Sequence, residues 1–208
     1  MIKYLILIML TFVTHNSAQD HSADIRGLIS KINIGLQNSN LPDESTLNLI
    51  DSSISLIESN FRGKIDISEF KEEYLGFKEF SKLNPRIDTL KKVFRSVNNK
   101  FNSLFGTVFF NAILNSSKQK IIVFSTSMSC ECTLDMCYEQ EVVVQNLLED
   151  KNLNTDYVVI DCFSNTELQA EYQVGFIPTV LILDSANKEV KSFVRDENLL
   201  VNLSEIIK

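Results

Sequence analysis

The sequence predicts an α/β domain in its C-terminal half, a central mixed sheet flanked by helices, preceded by an all-helical N-terminal region. Two observations carry this. From about residue 22 to residue 115 apolar residues recur with a helical period. After Lys118-Gln119-Lys120 they gather into short continuous runs rich in β-branched residues, alternating with helical segments, the pattern of buried strands joined by helices. The divisions that follow are 1–18, 19–117 and 118–208.

Each element has its own signal. Ile25, Leu28, Ile29, Ile32 and Leu36 share one helical face, and Leu47, Ile50, Ile54 and Ile57 share another. Phe70, Tyr74 and Phe77 follow Asp66 and Glu69, which resemble a capping box. Asn84-Pro85 opens the longest helix, with Pro in the first helical position. Its stripe is Ile87, Leu90, Phe94, Val97, Phe101, Leu104 and Phe105. In the second half, Ile121–Phe124 is a first strand, about Leu134 to Asp150 a helix, and Tyr157–Ile160 a second strand. Thr166 to Tyr172 is a short helix and Thr179–Leu183 a third strand. Ser185–Lys188 turns into a fourth strand, Glu189–Val194, and Glu197 to Ile207 is the last helix. The order is βαβαββα.

The stretch Glu58–Glu69 has the outline of a calcium-binding loop, with Gly63 sixth and Glu69 twelfth. Glu58 stands where the first Asp belongs, and Arg62 places a cation where a ligand should be. A turn between helices is the simpler reading.

Residues 1–18 read as an export signal. Lys3 supplies the charged start, Tyr4 to Val13 the apolar core, and Ser17-Ala18 a small-residue cleavage point before Gln19. The expected destination is the periplasm, the extracellular space or the ER lumen, with no membrane span left after cleavage. The net charge of −7 becomes −8 when Lys3 is removed. That balance speaks against nucleic acid as a partner, because phosphate binding needs a basic face.

All four cysteines, Cys130, Cys132, Cys137 and Cys162, fall in the second half. In an oxidising compartment they can form lasting disulfides. Cys130 sits between a strand and a helix. Backbone N–H groups and the helix dipole favour a thiolate there.

The strand leading to cysteines at a helix start, the strand ending Ile160-Asp161, and Val174-Gly175-Phe176-Ile177-Pro178-Thr179 opening the third strand resemble the thioredoxin family. The resemblance covers about the last 90 residues. It implies that Cys130 is the attacking thiol, and that Pro178 is cis and faces it, with Thr179 beside it. It also implies protein thiols or disulfides as partners, and no cofactor. The chain departs from the family in three ways. The resolving cysteine belongs at position 133, which is Thr; the chain has no Trp; and no acid lies on the strand near Phe124.

Three functions stay open. One is a thiol–disulfide oxidoreductase in which Cys132 resolves Cys130. Another is a binding or scaffold module with structural disulfides, for example Cys132 with Cys137. The third is a copper or zinc site of soft ligands, Cys130, Cys132 and Cys137 with a methionine. Neither His lies in the domain. Cys162 follows the second strand and is expected near the other cysteines, because sites form at the carboxyl edge of such sheets.

Overall fold

Apolar stripes at helical spacing give the first half its helices, and the computed structural model describes residues 25–60, 66–83, 85–151 and 155–207. Residues 1–18, read as a signal, and Phe61 to Ile65 of the calcium-loop motif lie outside them. Contacts divide the chain into two units, Met1–Leu90 and Lys91–Lys208.

In the first unit, α1 spans residues 25–37, α2 Glu44–Asn60 and α3 Ser68–Ser81. Each buries the stripe that its spacing marks: Ile25, Ile29, Ile32 and Leu36; Leu47, Ile50, Ile54 and Ile57; Phe70, Tyr74 and Phe77. Asp43 starts α2 by accepting the Thr46 N–H at 2.8 Å and the Thr46 hydroxyl at 2.7 Å, so an orphan helix donor is satisfied. The buried Tyr74 hydroxyl donates to the Leu47 carbonyl at 2.5 Å, tying α3 to α2. At α3 the cap position is Ile67, without a side-chain bond, and Asp66 accepts the Ser68 N–H at 3.0 Å.

The long helix α4 runs Ile87–Leu114. It begins after Pro85, not on it, because the first helical bonds run to the Arg86 carbonyl from Thr89 and Leu90. The division between the units falls inside α4, upstream of residue 118, where the periodicity changes.

The second unit adds β1 (Gln119–Ser125), α5 (Glu131–Lys151), β2 (Thr155–Asp161), α6 (Thr166–Glu171), β3 (Thr179–Leu183), β4 (Glu189–Val194) and α7 (Leu199–Ile206). The strands form one mixed sheet in the order β2-β1-β3-β4. β1 and β2 are parallel, β1 and β3 antiparallel, and β3 and β4 an antiparallel hairpin. Ile121, Val123, Val159, Val180 and Ile182 of the sheet pack with Val144 and Leu147 of α5 and with Leu199 and Leu203 of α7. Gly106 brings α4 against β2, where a Cβ would stand 3.0 Å from the Val159 carbonyl oxygen.

The register gathers the chemistry at one edge. Ser125, at the end of β1, pairs with Asp161, at the end of β2. Phe124 pairs with Thr179, the first residue of β3, and Thr179 with Val194, the last of β4. The β1–α5 loop, Cys162, Pro178 and Arg195 therefore all leave the same edge.

Candidate active site

Helix α5 starts three residues before the sequence suggests. The Cys130 carbonyl accepts from the Thr133 N–H at 3.0 Å and the Leu134 N–H at 3.1 Å. Cys130 is thus the cap residue, and Cys132 and Thr133 lie in the first helical turn rather than in a loop. Cys130 and Cys132 are both exposed thiols, and their Sγ atoms stand 2.7 Å apart. The Thr133 hydroxyl is 3.2 Å from the Cys130 Sγ. Hydrogen bonds from Cys132, then from the Thr133 side chain and backbone, push the Cys130 thiol down to about 7. Each of these donors favours the thiolate over the thiol.

Cys137 is not part of this pair. It lies further along α5, buried, and burial pushes its thiol up to about 11, with the Glu141 charge adding to the effect. Cys162 is buried as well, and its N–H donates to the Ser125 carbonyl at 2.9 Å. Burial pushes it up to about 12, with smaller contributions from Asp161 and Cys137. The four cysteines thus divide into an exposed pair and two buried thiols. A single cage of Cys130, Cys132 and Cys137 is not assembled. Among the described residues, no three His, Cys, Asp or Glu side chains group as a metal site.

A buried acid is present, although the strand carries none. Glu141 arrives from α5, one turn beyond Cys137, and is almost fully buried. It accepts from the Ser125 hydroxyl at 2.5 Å and the Asn98 side-chain amide at 2.9 Å. Burial raises its pKa, against the pull of these hydrogen bonds. The signal was in the sequence: Glu141 holds the i+4 place on the helix face that carries Cys137, Val144 and Leu148.

The loop before Cys130 is fastened by Asp161. Its carboxylate accepts the Ser127 N–H and hydroxyl, both at 2.8 Å, and the Phe163 N–H at 3.1 Å. It also accepts the Ser164 hydroxyl at 2.8 Å and the Ser103 hydroxyl of α4 at 2.5 Å. A buried carboxylate with five donors is well satisfied, and it joins the β1–α5 and β2–α6 loops to α4. From α4, Arg95 reaches α5, pairing with Glu131 at 3.3 Å and Asp135 at 2.5 Å.

The Ile177–Pro178 peptide is cis. The Pro178 carbonyl accepts the Arg195 N–H at 3.0 Å, and Arg195 Nε donates to the Ile177 carbonyl at 2.9 Å. Thr179 is buried and donates to the Phe176 carbonyl at 2.7 Å. Met128, Phe163 and Phe176, from the three loops of this edge, are exposed. Arg195 lies over the Phe176 ring, 5.6 Å from its centroid. Arg195 gains its place only through these loops, and no short motif marks it; the sequence marks Asp161 as the end of the second strand, but not as the group that fastens the loop before Cys130.

No family model matches the chain, and no curated protein matches it. Among solved structures it is similar to the germline-specific thioredoxin Deadhead from Drosophila melanogaster. That match has 22% identity over 49% of this chain and 91% of that one, with a TM-score of 0.40. It is similar to Fasciola hepatica thioredoxin at 20% identity over 49% and 93%, with a TM-score of 0.40. Mitochondrial thioredoxin 3 from Saccharomyces cerevisiae matches at 16% identity over 49% and 86%, with a TM-score of 0.38. The C-terminal unit is a mixed four-stranded sheet in the order β2-β1-β3-β4 with flanking helices, as the sequence predicts.

Proposed function

We propose that the C-terminal unit is a thiol–disulfide oxidoreductase acting on protein thiols or disulfides, with Cys130 attacking and Cys132 resolving. The observation that carries this reading is the exposed Cys130 sulfur at the start of α5, 2.7 Å from the Cys132 sulfur and 3.2 Å from the Thr133 hydroxyl. The other two thiols are buried and raised, so they are poor nucleophiles at neutral pH.

In the exchange, the Cys130 thiolate attacks one sulfur of a target disulfide. A mixed disulfide forms and the other target sulfur leaves as thiolate, taking a proton from solvent. The Cys132 thiolate then attacks the Cys130 sulfur. The Cys130–Cys132 disulfide forms and the second target thiolate departs. The target gains two electrons and the cysteine pair loses two, to be returned by a dithiol reductant. The reverse sequence oxidises a target dithiol.

The working compartment in this reading is outside the cytoplasm, supported by the signal-like residues 1–18. N-terminal sequencing of exported chain beginning at Gln19 is the expected result, and a chain retaining Lys3 in the cytoplasmic fraction would contradict it. The acidic balance gives no support for a nucleic-acid partner. Among the described residues, no helix is long and apolar enough to cross a membrane.

The catalytic reading is tested with insulin reduction by dithiothreitol. Cys130→Ser is expected to fall to the uncatalysed background. Cys132→Ser should accumulate a mixed disulfide on Cys130. A Cys130→Ser chain that keeps the parent rate ends the assignment.

A further inference from the structure

We propose that Thr133 is a positioning residue for Cys130: its hydroxyl donates to the Cys130 sulfur and holds it at the start of α5. The inference rests on the reading of Cys130 as the attacking thiol, and it assigns a task to a position that in the resembled motif carries the resolving cysteine.

Three observations carry it. The Thr133 Oγ1 stands 3.2 Å from the Cys130 Sγ, within hydrogen-bonding range for sulfur. The Thr133 N–H already closes the first helical bond to the Cys130 carbonyl at 3.0 Å, so the Thr133 backbone belongs to the same turn that presents the sulfur. Both the hydroxyl and the N–H of Thr133 count among the groups that lower the Cys130 thiol.

The chemistry separates two tasks. A hydroxyl cannot attack a mixed disulfide under these conditions, so Thr133 cannot resolve one. It can donate to a thiolate, which lowers the energy of the nucleophilic form. Resolution is left to Cys132, whose sulfur is nearer. The acids nearest on α5 do not compete for Cys130. Glu131 pairs with Arg95 at 3.3 Å and Lys92 at 3.6 Å, and Asp135 pairs with Arg95.

The test measures the alkylation rate of Cys130 by iodoacetamide against pH in the full chain. A Cys132→Ser background leaves Cys130 as the one exposed cysteine, because Cys137 and Cys162 are buried. On that background, Thr133→Val and Thr133→Ala are expected to raise the midpoint by about one pH unit, the size of a lost charge-assisted hydrogen bond. Thr133→Ser keeps the donor and should leave the midpoint where it was. Midpoints for Val and Ala equal to that of Cys132→Ser overturn the proposal, as does a Ser variant that shifts as far as Ala. A purely structural role for Thr133 would not be rescued by Ser in this readout. Alkylation needs no turnover, so the result is independent of the insulin assay. If Cys130→Ser abolishes reduction while the Thr133 variants leave the midpoint unmoved, the positioning role fails and the catalytic reading stands.

Discussion

Glu141 places an ionisable group where the helix face asks for an apolar one. Its carboxyl is buried beside Ser125 and Asn98, and burial raises its pKa. The folded chain therefore binds this proton at pH values where the unfolded chain has released it. Between the ordinary carboxylate pKa and the raised one, the native state holds more protons, so stability falls as pH rises. The contribution is fully present below the ordinary carboxylate range and is lost as pH climbs through the raised value. Glu141→Gln keeps the shape and removes the titration. It is expected to raise the Tm above the ordinary carboxylate range and to flatten the fall of Tm with rising pH there. Parallel Tm–pH curves for variant and parent would show that Glu141 does not titrate in that window. The same residue stands one turn from Cys137 and adds to the raising of that thiol.

At the scale of an element, α4 is decided by one glycine. A helix interior favours Ala over Gly by about 1 kcal/mol, so a helical glycine needs a reason. Gly76 in α3 has none that the structure records, since a Cβ there meets nothing within 4 Å. Gly106 in α4 has one: the Val159 carbonyl of β2 would stand 3.0 Å from its Cβ. That oxygen belongs to a strand held in register with β1, so it cannot retreat as a flexible side chain can. Gly76→Ala is expected to raise stability by up to about 1 kcal/mol. Gly106→Ala is expected to lower it by about 1 to 2 kcal/mol, overpacking outweighing helix propensity. Urea melts of the two variants give the comparison. A stabilised Gly106→Ala chain would mean that α4 and β2 can separate at little cost.

For the whole molecule, residues 91–114 belong with the sheet. They supply Asn98 to Glu141, Ser103 to Asp161 and the Gly106 approach to β2. A fragment of residues 118–208 leaves those acids without their α4 donors and uncovers the β2 backbone at Val159. Each lost hydrogen bond to a buried carboxylate costs about 1 to 3 kcal/mol, and the apolar face that α4 covers is opened to water as well, a large share of the stability of a domain this small. The 118–208 fragment is therefore expected to show no cooperative thermal transition by circular dichroism, whereas residues 86–208 should melt cooperatively. Cooperative melting of the shorter fragment would place the domain boundary at the change of periodicity.

The sequence by itself determined the secondary structure of both halves, the strand order along the chain, and the place of Cys130 at a strand-to-helix junction. These are local signals: a period of 3.6 or a short β-branched run needs no knowledge of distant neighbours. Element ends were less legible. The start of α5 moved three residues because Cys130 itself caps the helix, a bond that periodicity does not encode. The tertiary structure alone decided which cysteines meet. Four thiols within 33 positions of sequence divide into an exposed pair and two buried thiols, according to which side of α5 and which strand end each occupies. It also decided that a buried acid reaches the site from a helix, and that Asp161 fastens the loop before Cys130. Both depend on side chains from α4, α5 and two strand ends converging on one edge, and convergence is fixed by the sheet's register, which no single stretch of sequence contains.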